Sequence, residues 1–352
     1  MSNYLRTISV VCLSLLLASS VFAQQNPNKH KVGVVIALSG PLAPVGTSIQ
    51  RAISIADTNL DPTDQIEFIF EDDQFQAKYA TSAAEKLIVQ NQVEALITFS
   101  GSTSLAVAEI ARRNNIPLIA VTPLTLVSEK GGSVYTIFPP TSKQIDLLSQ
   151  TIKQRDFKRI AVLTSTQDAL LQFKEIFATQ NKELIVFDQE VAPGDTNLTS
   201  TVTKILREKP DVFVNFTLPP QISIVSKNLR AQGFDGLILG GPTMYNPPEI
   251  KAASGTLTGA MIPGPKSSQS SPFLDQYFKK FNEPCISEGT YGHDAGALLI
   301  KAIHSGDLTG FLATTKSFEG ISGTYPKSSG NQFEIPLELK VITADGTLTK
   351  AE

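Results

Sequence analysis

Short apolar runs rich in β-branched residues alternate with helical stretches along most of the 352-residue chain. The first run, 31–38 (KVGVVIAL), is followed by a glycine and two prolines, and apolar residues at helical spacing then occur within 47–59. Further strand-like runs lie at 66–70, 93–99, 116–121, 159–163, 183–187, 212–216 and 237–239. Apolar strands that alternate with helices predict parallel sheets covered by helices on both faces. Two sheets are needed for this many units, so we predict an α/β fold of two doubly wound parallel-sheet lobes.

The predicted lobes are joined by a three-strand hinge, because the chain is expected to cross between them three times. We place the crossings near 139–142, 263–268 and 325–331. The N-terminal lobe is then predicted to comprise 24–140 and 266–327. The C-terminal lobe is predicted to comprise 141–265 and 328–352.

The first 23 residues have the layout of a secretory signal peptide. Arg6 precedes an apolar run at 8–17, and small residues follow as far as Ala23. We expect cleavage after Ala23 and a mature protein in the periplasm. The apolar run is shorter than the roughly 20 residues that a permanent membrane helix needs, although a retained anchor is the alternative. Cys12 lies inside the run, not directly after it, so no lipid anchor is expected.

The composition argues against several functional classes. The net charge is −3 and there is no basic tract, which disfavours nucleic acid and anionic membrane surfaces as partners. Only Cys285 would survive processing, so no disulfide can form within the mature chain. No phosphate-binding glycine loop, nucleophile elbow or paired metal-ligand histidines occur in the sequence. We therefore predict no cofactor, no metal and no catalysis, and we interpret the acidic cluster at 71–73 as a solvated loop.

Hydroxyl-bearing residues follow two neighbouring strands at the points where those strands end. The first group occupies 100–104, before a helix, and the second occupies 122–125. Open parallel sheets bind ligands at the carboxyl ends of their strands, and a helix N-terminus there suits a carboxylate or carbonyl oxygen. The alternative is that Ser102 or Thr103 simply caps the helix. The candidate ligand contacts in this region are Ser102, Thr103, Thr122, Pro123 and Thr125.

From about residue 31 to 345 the chain resembles the type I periplasmic binding proteins of ABC importers for branched-chain amino acids (leucine, isoleucine and valine). The resemblance rests on the order and spacing of four segments: 34–50 (VVIALSGPLAPVGTSIQ), 95–108 (ALITFSGSTSLAVA), 116–130 (IPLIAVTPLTLVSEK) and 289–303 (GTYGHDAGALLIKAI). It implies a type I periplasmic binding protein fold that closes on a ligand. It also implies that Ser102 and a threonine within 122–125 hold the ligand's carboxylate.

The second lobe departs from the family pattern. The family's glycine-proline-glutamate, whose acid meets the ligand's ammonium, reads Gly241, Pro242 and Thr243 here, and Leu218 replaces a family tyrosine. Burying an ammonium without its carboxylate costs about 3–5 kcal/mol. Leu218 and Thr243 therefore fit a carboxylate or carbonyl ligand with an apolar or amide tail at least as well as an amino acid. Asp168 or Glu288 could supply the missing acid if either reaches the cleft.

The sequence thus predicts an extracytoplasmic receptor, not an enzyme, that binds a small amino acid, amide or organic acid between two closing lobes. The resemblance implies ABC permease subunits in the membrane as partners, and we expect a monomer. Two alternatives stay open: a ligand-sensing module for a membrane receptor, and a secreted enzyme on the same fold.

Overall fold

The computed structural model describes residues 29–40, 42–56, 66–244, 246–266 and 271–351. The predicted signal peptide and its cleavage site lie outside the described residues. Within those ranges no helix combines the length and the apolar character needed to cross a membrane.

The strands, in chain order, are β1 (His30–Ile36), β2 (Ile66–Asp72), β3 (Ala95–Phe99), β4 (Leu118–Val121), β5 (Val134–Phe138), β6 (Ile160–Ser165), β7 (Ile185–Val191), β8 (Val212–Phe216), β9 (Leu237–Gly240), β10 (Met261–Pro265), β11 (Ser317–Gly320), β12 (Gly323–Pro326), β13 (Gln332–Glu334), β14 (Leu337–Ile342) and β15 (Leu348–Lys350).

The helices are α1 (Ala43–Ala56), α2 (Ala77–Val89), α3 (Gly101–Arg113), α4 (Thr141–Gln154), α5 (Asp168–Asn181), α6 (Thr199–Arg207), α7 (Gln221–Ala231), α8 (Pro247–Ala252), α9 (Pro272–Phe281), α10 (Ser287–His304) and α11 (Leu308–Thr314). Short 3-10 turns occupy Thr125–Lys130, Lys182–Leu184 and Pro242–Met244.

Two sheets organise these elements, as the alternation predicted. The first has the order β13-β5-β4-β3-β1-β2, and all its pairings are parallel. The second has the order β15-β14-β10-β9-β8-β6-β7. Its pairings from β10 to β7 are parallel, whereas β14 and β15 add an antiparallel edge. The fold is therefore α/β with two doubly wound lobes.

The chain passes between the sheets at three places. It leaves the first sheet after β5, returns to it after β10, and leaves again after β13. The last passage differs from the predicted boundary at 327, because Gln332–Glu334 pairs in parallel with β5 of the first sheet. We therefore propose the predicted lobe assignment with its third crossing moved to the segment between β13 and β14.

Each lobe has its own apolar core. In the first lobe, α1 and α10 pack together on the sheet, and Ile49, Ile53 and Leu298 are fully buried there. Gly292 permits this close approach, because a Cβ at that position would lie 2.7 Å from Cγ2 of Ile49. The packing fixes the start of α10 beside the strand ends of the first sheet, although α10 follows the second passage of the chain.

Candidate ligand-binding cleft

A cavity lies where the carboxyl ends of strands from both sheets face each other. The first lobe lines it with residues at or after the ends of β1 to β5 and with residues at the start of α10: Leu42, Val45, Phe75, Phe99, Ser100, Gly101, Pro123, Phe138, Ile286 and Glu288. The second lobe lines it with residues that follow β6, β8 and β9: Gln167, Ala169, Leu170, Phe173, Leu218, Pro219, Pro242, Thr243 and Asn246. This is the position at which doubly wound sheets bind ligands.

The start of α3 lies at this cavity, because Ser100 and Gly101 both line it. The N–H of Ser100 itself donates to the carbonyl of Val121 at 3.3 Å. Ser100 is the N-cap residue, and its side chain makes no capping hydrogen bond to the helix. Its hydroxyl instead lies 2.8 Å from that of Thr103, which donates to the carbonyl of Phe99 at 2.7 Å. Ser100 also has a φ of 80°, a left-handed conformation that is costly for a residue with a Cβ. The strained turn aims the N-terminus of α3 into the cleft, where its N–H groups can bind an oxygen of a ligand.

The predicted contacts fall into two groups. Pro123, Leu218 and Thr243 line the cavity. Ser102, Thr103, Thr122 and Thr125 do not.

Each residue of the second group lies within two positions of a lining residue, Gly101 or Pro123, in the sequence. Thr122 is fully buried, and its hydroxyl accepts the N–H of Leu124 at 3.2 Å. Thr103 is also fully buried, and Ser102 is half-buried in the first turn of α3. Thr125 is half-buried and accepts a long hydrogen bond of 3.5 Å from Gln172 in the second lobe. Ser100 and Gly101, one position before the predicted pair, therefore form the part of this turn that faces the cavity.

The turn after β2 carries one wall of the cavity. Gln74 and Phe75 both adopt left-handed conformations, with φ of 51° and 60°. Asp73 stabilises this turn by accepting the N–H of Phe75 at 2.8 Å. Two consecutive residues in a sparsely populated conformation, directly at a cavity, indicate a functional constraint on the position of the Phe75 ring.

The acidic cluster at 71–73 is not the solvated loop that we expected. Asp73 is 1% exposed. Burial raises its pKa to about 6, although the Phe75 N–H and the Thr103 hydroxyl oppose the shift. Asp72 joins this turn to the β1–α1 loop, because it accepts hydrogen bonds from Leu38, Ser39 and Gln74. The two carboxylates support the cavity wall from behind.

Glu288, in the first turn of α10, is the charged side chain among the lining residues. Across the described parts of the chain it forms no ion pair, and no lysine or arginine lines the cavity with it. The side chain is half-buried, so water reaches it, but protein surrounds the cavity on both sides. Burial raises the pKa of Glu288 to about 7, against a small opposing effect of its own backbone N–H. The other suggested acid, Asp168, is exposed and lies outside the cavity lining.

The second lobe presents apolar surface and neutral polar groups. The hydroxyl of Thr243 donates to the carbonyl of Thr217 at 2.9 Å, so it can only accept from a ligand. The side-chain oxygens of Gln167 and Asn246 accept the N–H groups of Leu170 and Glu249, at the starts of α5 and α8. The amide NH₂ groups of Gln167 and Asn246 are then donors that this lobe can offer to a ligand.

A second cavity lies behind the cleft among the chain crossings. Its lining includes Pro139, Gln144, Pro265, Tyr291 and Lys340. The strand ends of the two sheets converge on the cleft, whereas this cavity is lined mainly by strands and helices, chiefly β10 and the start of α10. The cleft is therefore the candidate ligand site. In the described part of the chain no cluster of histidine, cysteine and acidic side chains has the arrangement of a metal site.

Several lining residues were not predicted from the sequence. Phe75, Phe138 and Ser100 each lie at or directly after a strand end, which was the available signal. Asn246 lies in the segment between β9 and α8, and its capping role gave no indication of a ligand contact.

Two doubly wound lobes, joined by three chain crossings and separated by a cavity at facing strand ends, define a two-lobed ligand-binding protein. The model of the periplasmic binding protein family matches residues 29–330. The chain belongs to this family, and its resemblance to the type I proteins of the branched-chain amino acid class is confirmed.

Two curated relatives belong to the same class and match this chain at low sequence identity. The Leu/Ile/Val-binding protein BraC3 of Rhizobium johnstonii is 21% identical over 242 residues, or 66% of each chain. The Leu/Ile/Val-binding protein homolog 3 of Brucella melitensis is 21% identical over 253 residues, or 68% of each chain. The match thus spans just under two thirds of the Rhizobium protein.

Solved structures share the fold over nearly the whole described chain. The branched-chain amino acid substrate-binding protein LivJ of Streptococcus pneumoniae, in complex with isoleucine, has a TM-score of 0.85 at 23% identity and covers 92% of this chain and 99% of its own. The leucine-binding protein LivK of Thermotoga maritima has a TM-score of 0.83 at 22% identity, covering 92% and 98%. A solute-binding protein of an ABC transporter from Rhodopseudomonas palustris, in complex with benzoate, has a TM-score of 0.80 at 21% identity, covering 92% and 95%. These structures confirm the predicted fold class.

Proposed function

We propose that this protein is the extracytoplasmic solute-binding receptor of an ABC importer. It captures one small organic solute between its lobes and presents the closed complex to permease subunits in the membrane. The observation that carries the proposal is the cavity at the facing strand ends, which both lobes line. A ligand that contacts both lobes stabilises the closed state through its higher affinity for that state.

The residues that line the cleft indicate the chemical character of the solute. Four phenylalanine rings and several aliphatic side chains surround it, so the solute has a sizeable apolar body. The N-terminus of α3, which begins at Gly101, suits a carboxylate or carbonyl oxygen at one end. Pro123, Leu218 and Thr243 remain proposed contacts, with Ser102, Thr103, Thr122 and Thr125 supporting them.

The relatives are consistent with such a range of solutes. Two are named for leucine, isoleucine and valine, one is bound to isoleucine, and another to benzoate. A small amino acid, amide or organic acid therefore fits this chain. We also propose that the protein is exported with cleavage after Ala23, acts as a monomer and catalyses no reaction on its solute.

The test starts with the solute that accompanies the purified mature protein. Mass spectrometry of the denatured extract identifies it, and titration calorimetry of stripped, refolded protein measures its affinity. Leu218→Arg places a charged side chain in the apolar cleft and should weaken binding at least about tenfold. Leu126→Arg is the matched control, because Leu126 is 45% exposed, and it should bind within about twofold of the wild type.

Equal affinity of Leu218→Arg and the wild type would contradict binding in the cleft. Transport is tested separately, by asking whether the loaded protein stimulates the ATPase of the reconstituted permease. Binding without stimulation would favour the ligand-sensing alternative. Chemical conversion of the solute by the purified protein would favour the enzyme alternative.

A further inference from the structure

We infer that Glu288 selects the solute, and that the solute carries a protonated nitrogen which this carboxylate accepts. The inference rests on the proposed solute-binding function and deepens it. It concerns the charge of the ligand, which neither the fold nor the relatives define.

The position of Glu288 is the first support. Its side chain lines the same cavity as the start of α3, and α10 is held in place by the core of the first lobe. The neighbouring Cys285 is a neutral thiol, since burial raises its pKa to about 12. Among the described residues that line the cleft, therefore, nothing neutralises a negative charge on Glu288.

The physical consequence is a preference for positive charge. A carboxylate enclosed by protein is stabilised by an opposite charge within a few ångströms and destabilised by a like charge. The rings of Phe75, Phe99, Phe138 and Phe173 line the same cavity, and aromatic faces also attract cations. Simple aromatic and aliphatic carboxylates, which bring only negative charge, are disfavoured near Glu288 when its carboxylate is ionised.

The remaining polar groups suit the other end of such a solute. The α3 N-terminus and the amide NH₂ groups of Gln167 and Asn246 are donors, so they can bind an oxygen. Both amines and zwitterions with an apolar body therefore satisfy the inference. Their shared feature is the protonated nitrogen.

The arrangement also moves the expected acid from one lobe to the other. In the family pattern the acid stands in the second lobe, where Thr243 lies here with its hydroxyl proton already donated to Thr217. Glu288 belongs to the first lobe, as does the oxygen-binding turn at Ser100. The first lobe can therefore hold both polar ends of a zwitterion, and the second lobe closes over its apolar body.

The experiment compares probes that differ in charge. Titration calorimetry of stripped, refolded mature protein is run with phenethylamine (cation), L-phenylalanine and L-leucine (zwitterions), benzamide (neutral) and benzoate (anion). We expect binding of at least one nitrogen-cation probe and none of benzoate. Glu288→Gln, which keeps the size of the side chain, should weaken that binding at least about 30-fold.

The matched control is Asp168→Asn, which removes one negative charge beside the lining residues Gln167 and Ala169 but outside the cavity. It should change affinity less than about twofold. The melting temperature of Glu288→Gln should equal or exceed that of the wild type, because an unpaired enclosed charge is removed, and this shows that the variant is folded.

Benzoate or benzamide binding more tightly than every nitrogen-cation probe would overturn the inference. So would unchanged affinity in Glu288→Gln, or a wild type that binds none of the five probes. The proposed function is judged apart from this, on whether the co-purified solute is lost in Leu218→Arg.

Discussion

Asp72 should stabilise the cleft from outside it, and replacing it tests how the cavity wall is built. Its carboxylate accepts the N–H groups of Leu38 at 2.8 Å, Ser39 at 3.2 Å and Gln74 at 2.9 Å, and the hydroxyl of Ser39 at 2.6 Å. These bonds join the loop before Leu42 to the turn before Phe75. Asp72→Ala removes all of them.

The size of the effect follows from the exposure of the site. A net hydrogen bond contributes about 0.5–1.5 kcal/mol, and water can replace part of each bond at a half-buried carboxylate. We expect a loss of about 2 kcal/mol of unfolding free energy and a fall of about 4–8 °C in melting temperature. Burial raises the pKa of Asp72, but these hydrogen bonds outweigh burial and leave the pKa below its ordinary value. The contribution is therefore complete above the ordinary pKa and is lost as the pH falls through the lowered one.

Urea unfolding followed by circular dichroism measures the loss, and calorimetry measures affinity for the co-purified solute. Asp72→Asn is the matched control. Its amide oxygen can keep the three backbone donors and its NH₂ can donate to Ser39, so it should lose less than half as much. Wild-type stability and affinity in Asp72→Ala would refute the role of Asp72 in holding the two segments together.

Two further predictions concern buried carboxylates. The pKa of Asp73 is raised to about 6 in the folded state, so as the pH falls the folded state binds this proton before the unfolded state does. This proton uptake stabilises the folded state as the pH falls below about 6, and the stabilisation is lost as the pH rises through that value. The melting temperature of Asp73→Asn should therefore equal or exceed that of the wild type near about pH 7.5, and this advantage should be lost near about pH 4.5. The same difference in melting temperature between variant and wild type at both pH values would contradict the raised pKa. Asp294 accepts the Tyr325 hydroxyl at 2.6 Å and the Ile321 N–H at 2.9 Å, and Asp294→Ala leaves the buried Tyr325 hydroxyl and the half-buried Ile321 N–H without this acceptor. Urea unfolding should show a loss of about 2–4 kcal/mol for Asp294→Ala and a smaller one for Asp294→Asn, and equal losses would point to packing as the cause.

The alternation of apolar strands and helices was enough to predict two parallel-sheet lobes, because burial on both faces leaves a strong pattern. The strand β10 escaped prediction. It reads MIPGP, and two prolines and a glycine are unfavourable inside a sheet, yet it pairs with β14 over five positions. The segment Gln332–Glu334 was assigned to the wrong sheet, since its parallel partner β5 lies nearly 200 residues earlier.

The position of the cleft could be predicted for the same reason, since parallel strand ends converge. Of the individual residues predicted, Pro123, Leu218 and Thr243 line the cavity, whereas Ser102, Thr103, Thr122 and Thr125 do not. Whether Ser100 or Ser102 faces the cavity depends on a left-handed backbone conformation at Ser100. A serine in the sequence does not indicate such a conformation, which is uncommon for residues other than glycine. Glu288 was named from the sequence as a possible acid, but whether it reaches the cleft depends on how α10 packs on α1, which the neighbouring residues in the sequence do not indicate.

The crystal structure of the protein with its co-purified solute tests the central claim most directly. The account predicts electron density for the solute between the start of α3 and the Leu218 and Thr243 segments, in contact with both lobes. A solute seated instead in the cavity beside Pro265 and Lys340, or bound to one lobe away from the strand ends, would contradict it.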